Sequence, residues 1–217
     1  QPLAAAAGKW LMIMGIVGVA GIWVRYLVGQ VRIQAGTDSV TGVANRQQLE
    51  EELPRILAHA ARTRTGVAVA MLDLDHFKAF NDERGHLAGD RHLAETARVW
   101  RTHLRAGDLL VRFGGEEFLA VLPSCPPVAA NIVVERMRTT TPNSQTCSAG
   151  IAHFNQHESA EQLLARADSA LYEAKRSGRN RAVTAPPKVY SLEAQMVQPP
   201  STTSTEPVTY EAASEAR

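Results

Sequence analysis

Apolar residues fall along this chain in three regimes. Residues 10–24 (WLMIMGIVGVAGIWV) are fifteen uncharged, mostly apolar positions in a row. From 38 to about 185, apolar positions alternate between a helical period and short continuous runs, the mark of helices interleaved with strands. Beyond 185 that patterning stops. Five of the 11 prolines lie between Pro186 and Pro207 among Ser, Thr, Glu and Ala, a composition that cannot bury enough apolar surface to offset its ordering entropy. The chain therefore divides into a transmembrane segment and linker helix at 1–37, a folded α/β domain at 38–185 and a disordered tail at 186–217.

Within the domain, residues 47–61 read as a helix with Leu49, Leu53, Ile56 and Leu57 on one side. The run VAVAML at 67–72, between Gly66 and Asp73, reads as a buried strand. Residues 86–104 are helical. Apolar runs at 109–113 and 118–122, joined by Gly-Gly-Glu-Glu, read as a hairpin. A helix at 128–138, a strand at 146–154, a helix at 159–176 closed by Gly178 and an edge strand at 181–184 complete the pattern.

The apolar run at 10–24 is shorter than the ~20 residues that span a bilayer. Tyr26, Leu27 and Val28 extend it if Arg25 snorkels, and Trp10, Trp23 and Tyr26 stand near its ends, where amphipathic rings favour the headgroup level. A signal peptide and a buried helix are the competing readings. No small-x-small cleavage site follows directly, and Arg25 and Arg32 downstream favour a domain facing the cytoplasm from the inner membrane. Val24, Val28, Val31 and Ala35 step by four, three and four, a spacing that suits a stalk pairing with its copy as well as it suits an ordinary linker helix. The chain opens on Gln1 rather than Met, which reads as a fragment or a processed product.

Charge adds little. With 23 basic against 22 acidic residues, no global field argues for a nucleic-acid partner. Two cysteines, Cys125 and Cys147, are no disulfide framework and read as small buried apolar residues.

The chemistry concentrates at two places. The strand at 67–72 runs into Asp73-Leu74-Asp75, and the hairpin turn presents Gly114-Gly115-Glu116-Glu117. Carboxylates at a strand end and at a neighbouring turn can converge at one edge of a sheet, and hard oxygen ligands of this kind suit Mg²⁺. The paired glycines permit a tight turn and keep bulk from an approaching phosphate. Taken alone, an acidic hairpin is as well explained as a solvated turn.

The run DLDHFKAFNDERGHLAGD at 73–90, together with RFGGEEF at 112–118, resembles the GGDEF family. Four further segments resemble it in order and spacing. They are DSVTGVANR at 38–46, Arg105-Ala106-Gly107-Asp108, Ser148-Ala149-Gly150-Ile151-Ala152, and the stretch from Ala167-Asp168 through Tyr172-Glu173-Ala174-Lys175 to Gly178-Arg179-Asn180. The resemblance implies a palm-like fold, a central mostly antiparallel sheet flanked by helices, similar to nucleotidyl cyclase and polymerase palm domains. It also implies a diguanylate cyclase that condenses two GTP into cyclic di-GMP, acting as a homodimer.

By that resemblance, Asp73, the main-chain oxygen of Leu74 and Glu116 hold Mg²⁺ (Mn²⁺ substituting), with Glu117 helping at a second metal position and Glu116 also taking the hydroxyl proton. Lys78, Lys175 and Arg179 match phosphate contacts. Phe77, Asn81, His86 and Asp90 match nucleotide-binding positions. Asp90 accepts from the N1–H and 2-amino group of guanine and repels the acceptor at N1 of adenine. Arg105 and Asp108, nine and six residues before Gly114, match a product-binding inhibitory motif. Departures from the family pattern are Arg84 in place of an aromatic residue, Val43 in place of Leu, and a short stretch at 139–145, expected to lower stability. The alternatives are a non-catalytic GTP or cyclic di-GMP receptor, which usually carries a broken turn, and a cyclase acting on a single nucleotide.

Overall fold

The computed structural model describes residues 36–187 together with Trp23. The apolar run at 10–24 (Trp23 apart), the stalk at 24–35 and the tail from 188 lie outside the described residues. The expectations of an anchor, a pairing helix and a disordered tail fall there. Among the described residues no helix is long and apolar enough to cross a membrane.

In chain order the elements are β1 (Ala44–Asn45), α1 (Arg46–Thr63), β2 (Val67–Leu74), α2 (Phe77–Arg84), α3 (His86–Arg101), β3 (Leu109–Gly114), β4 (Glu117–Pro123), α4 (Pro127–Thr139), β5 (Cys147–His153), α5 (Ala160–Arg176) and β6 (Ala182–Thr184). The strands form one sheet in the order β1-β3-β4-β2-β5-β6. The three inner pairings are antiparallel, and the parallel pairs β1–β3 and β5–β6 lie at the two edges. The expected mostly antiparallel sheet flanked by helices is what the chain forms.

Strand β2 lies between β4 and β5, and all eight of its residues are buried. Its alternation assigns one set to each face. Ala68, Ala70, Leu72 and Leu74 join a core with Phe77, Leu93, Trp100 and Met137 from α2, α3 and α4. Val67, Val69 and Met71 join a second core with Leu49, Leu53, Leu163 and Leu171 from α1 and α5. The sheet is thus covered on both faces, and side chains at its strand ends are the ones left for chemistry. Trp100 meets Phe118 edge-on, with ring centroids 5.2 Å apart, the arrangement the ring quadrupoles favour.

Helix α1 starts at Asn45, whose side chain accepts the Gln48 N–H at 3.0 Å. Helix α5 starts with a capping box in which Ser159 and Gln162 each accept the other's backbone N–H. At its far end the helix stops at Ser177, and Gly178 follows with φ of 111°, one residue past the cap. In the middle of β5, Gly150 leaves room for α5 to lie directly on the strand. A Cβ there would stand 2.1 Å from the Ala167 carbonyl oxygen and 2.1 Å from the Leu171 nitrogen.

Both cysteines are free and buried, as expected, and burial pushes the Cys147 thiol up to about 12. The short stretch after α4 is tied down rather than loose. The Asn143 side-chain amide lies 3.0 Å from His92 Nδ1 and donates to Glu95 at 3.0 Å, bracing the stretch against α3.

Candidate active site

The antiparallel register of β2 and β4 sets Asp73 directly opposite Glu117. Asp73 follows Val67, Val69 and Met71 on the face covered by α5, and Glu117 precedes Leu119 and Val121 on that same face. Directly opposed side chains have Cβ atoms about 4.5–5.5 Å apart, so two carboxylates there repel each other. The turn between β3 and β4 carries Gly115 with φ of 52° and a register shift between Arg112 and Gly114. This bulge brings Glu116 to the end of β2, where its carbonyl accepts the Leu74 N–H at 3.4 Å.

Arg112 anchors the turn from the other side. Its Nε donates to the Gly115 carbonyl at 3.0 Å, and its Nη1 reaches both oxygens of Asp38 at 3.1 and 3.2 Å. Burial alone would raise the pKa of Asp38. The Thr41 hydroxyl and amide and the Arg112 guanidinium outweigh it and hold the carboxyl low. The DSVTG segment therefore acts as a buttress for the glycine turn.

One cation stands against the paired carboxylates. Lys175, in the last turn of α5, places its Nζ 2.7 Å from Asp73 Oδ2. It does not cancel their cost. Burial raises the Asp73 pKa, against Lys175, and the charges of Glu116 and Asp75 add to the rise. Burial raises the Glu117 pKa as well, followed by the charge of Asp73. A carboxylate with a raised folded-state pKa favours the fold while protonated, and that stability is lost as pH rises through the raised value. The Tm gap between Glu117→Gln and the wild type should be small near about pH 4. It should open in the variant's favour toward neutrality, in thermal melts without divalent cations. A gap independent of pH would show that the charge on Glu117 does not govern the stability of this edge.

The nucleotide-matching residues gather at the α2–α3 corner. Gly85, at φ of 82°, turns the chain between the helices, and its N–H donates to the Asn81 carbonyl at 2.8 Å. His86 and Asp90 stand four residues apart on α3, hence on one face. The Asn81 side-chain oxygen is buried without a hydrogen-bond partner. Gly89 makes its position available, since a Cβ there would come within 1.9 Å of that oxygen. A buried, unpaired acceptor is costly unless a ligand donor meets it. Lys78 is exposed in the first turn of α2. Phe77 is 5% exposed and stacks on Phe80 and His92, so the structure gives it a core role. Arg179 lies four residues beyond Lys175, exposed on the loop that follows α5.

Arg105 and Asp108 lie at the opposite end of β3 from the carboxylates. The Arg105 N–H donates to Asp108 Oδ2 at 2.8 Å, and the Asp108 N–H donates to the Arg105 carbonyl at 3.0 Å, closing a tight turn. Beside it is a cleft of about 340 Å³ lined in part by Gly42, Gln48, Arg101, Leu104, Arg105 and Asp108. The six residues of β3 put this cleft about 20 Å from the glycine turn.

Among the described residues, no group of three or more His, Cys, Asp or Glu side chains is arranged as a ready metal cage. The donor set at the strand end is all oxygen and under mutual repulsion. It fits a divalent cation that takes one or two carboxylates and completes its shell with water and phosphate. Sequence reasoning missed the role of Asp75, which is 2% exposed and accepts from Thr146 and Ser148 at 2.7 Å each, and it missed the space-making role of Gly89.

The sequence model described as "Diguanylate cyclase, GGDEF domain" matches residues 35–181. Diguanylate cyclase DgcP of Pseudomonas aeruginosa is 44% identical over 160 residues, covering 69% of this chain and 24% of DgcP. The chain thus spans about a quarter of that relative's length. Among solved structures, the coiled coil and GGDEF domain of DgcB from Caulobacter crescentus, in complex with c-di-GMP, superposes with a TM-score of 0.72 at 32% identity. That match covers 79% of this chain and 97% of the DgcB chain. SiaD from Pseudomonas aeruginosa, in complex with its activator SiaC, gives a TM-score of 0.69 at 36% identity, over 85% of this chain and 77% of that one. With a family pattern that runs through the described domain, from the buttress of the turn to the loop after α5, the chain belongs to the GGDEF family.

Proposed function

We propose that the chain is a diguanylate cyclase that joins two GTP into cyclic di-GMP with release of two pyrophosphates. The observation that carries this reading is the opposition of Asp73 and Glu117 across β2 and β4, with Glu116 on the adjoining turn and Lys175 against Asp73. Asp73, the Leu74 main-chain oxygen and Glu116 would hold Mg²⁺, with Glu117 at a second position. The bound ion would activate a ribose 3′-hydroxyl and neutralise the leaving pyrophosphate.

The chain's own groups do the rest. Glu116 takes the proton of the attacking 3′-hydroxyl, whose oxygen forms a bond to the α-phosphorus of the other GTP as pyrophosphate leaves. Lys78, Lys175 and Arg179 receive phosphate charge. Asp90 accepts from guanine N1–H and the 2-amino group, and the buried Asn81 oxygen is a further acceptor for a guanine donor. Adenine would leave these acceptors unpaired. Each domain binds one GTP, so bond formation needs two domains with their substrates antiparallel, and we assign the active form as a homodimer. The apolar run at 10–24 supports attachment to the inner membrane, and Arg25 and Arg32 after it support a domain on the cytoplasmic side.

Incubating the protein with GTP and Mg²⁺ and identifying the product by mass spectrometry tests the reading. Cyclic di-GMP is expected. Nucleotide binding without product, in forced dimers as well, would replace it with a receptor role.

The cleft at Arg105 and Asp108 would bind the product and inhibit. Arg105→Ala is expected to raise the product concentration for half-inhibition by about tenfold or more, the loss of a bidentate charged contact. Unchanged sensitivity in initial-rate assays would remove the inhibitory role.

A further inference from the structure

The chain leaves α5 through three successive residues with positive φ: Gly178 at 111°, Arg179 at 59° and Asn180 at 48°. Glycine takes such angles freely and asparagine tolerates them, but an arginine there is held by its surroundings. Contacts from three directions hold it. The Arg179 N–H donates to the Ala174 carbonyl at 3.0 Å. The Asn180 N–H donates to Asp75 Oδ2 at 3.1 Å. Arg138 Nη1 donates to the Asn180 carbonyl at 3.0 Å and to the Asn180 side-chain oxygen.

Asp75 lies one residue beyond β2, and both oxygens of its carboxylate accept hydrogen bonds. Oδ1 accepts from Ser148 Oγ at 2.7 Å, and Oδ2 accepts from Thr146 Oγ1 at 2.7 Å as well as from Asn180. Its own N–H donates to the Thr146 carbonyl at 2.9 Å. The residue therefore joins the end of the strand that carries Asp73 to the loop that carries Arg179. Arg138, half-buried at the end of α4, grips the same peptide from the other side.

We infer that Asp75 and Arg138 are positioning residues that clamp the left-handed loop after α5 and so aim Arg179 at the triphosphate. The inference rests on the proposed phosphate role of Arg179. A hydrogen bond to a buried carboxylate is stronger than a neutral one, and small misplacements of a charged contact cost much of its effect.

The test uses the full chain with Asp75→Ala, Asp75→Asn, Arg138→Ala and Arg179→Ala. Calorimetry measures affinity for a GTP analogue with a methylene bridge between the α- and β-phosphates, and for GMP. Asp75→Ala and Arg138→Ala should each weaken the analogue by about tenfold, the factor for one charge-assisted hydrogen bond, and leave GMP within about twofold. Asp75→Asn should recover most of the loss, because its amide oxygen can still accept from Asn180. Combining Asp75→Ala with Arg179→Ala should cost no more than Arg179→Ala alone. Equal losses for both ligands, full affinity in both clamp variants, or additive losses would overturn the inference.

A second readout keeps the two readings apart. Amide exchange at Asn180, followed by NMR without ligand, should accelerate in Asp75→Ala and in Arg138→Ala. If the wild type binds neither nucleotide, the substrate reading fails, and unchanged exchange at Asn180 in both variants would overturn the clamp. Should Asp75→Ala not fold, Arg138→Ala carries both measurements.

Discussion

Glu116→Ala is expected to lower cyclic di-GMP formation by about a thousandfold or more, with nucleotide binding largely retained. The size follows from the two roles proposed for one carboxylate. Removing a group that stabilises developing charge costs about 10²–10³ in rate, and removing a general base costs about 10²–10⁴. The main-chain contact from Glu116 to Leu74 does not depend on its side chain, so the turn should keep its form. Initial rates across a Mg²⁺ series check the result, and Glu116→Gln separates the roles. If metal binding dominates, added Mg²⁺ should recover part of the rate in Glu116→Gln. If proton transfer dominates, it should not. A rate within about tenfold of wild type in Glu116→Ala would overturn both assignments.

Gly150→Ala is expected to destabilise the domain by about 3 kcal/mol or more, at the upper end for overpacking. A methyl group is small, but here it meets main chain. The Ala167 oxygen and Leu171 nitrogen at 2.1 Å belong to a helix whose hydrogen bonds fix them, so no side-chain rotation relieves the clash. The helix must lift from the sheet. A domain of this size should lose roughly 6–12 °C of Tm at that cost. Since α5 also delivers Lys175, affinity for nucleotide should fall in whatever fraction stays folded. A thermal melt unchanged within about 2 °C would show that α5 has freedom to move.

Most of the fold could be read in the sequence because most of its elements carry strong periodic signals. Strands β2, β3, β4 and β5 and helices α1, α4 and α5 lie within a few residues of their expected positions. The misses have local causes. The helix expected over 86–104 ends at Arg101, where the Thr102 and His103 amides turn to Val99 and Trp100 at 3.0 Å. Strand β2 runs on through Asp73 and Leu74, because pairing with β4 and β5 overrides the poor strand preference of aspartate. Strand β1 is two residues long and held by its parallel partner β3, so no periodicity announces it. Strand order is equally silent in a single sequence.

The site was legible as a motif but not as a geometry. Asp73, Glu116, Glu117 and Lys175 do come together, whereas Phe77 is mostly core. In sequence Asp75 looks like the second half of an acidic pair, and only its three donors reveal a structural residue. Gly150 offered a usable hint, since glycine inside a strand often marks a close backbone approach.

The pairing of Asp73 with Glu117 also limits how this site can change over evolutionary time. The two carboxylates share a face because an even number of positions separates each from the core residues of its own strand. Replacing a residue leaves that count intact. Inserting or deleting one between Glu117 and Leu119 reverses the facing of everything on one side of the change. The hairpin can therefore drift in composition far more readily than in length, and length variation in the domain should collect in segments such as 139–145, which lie outside the paired strands.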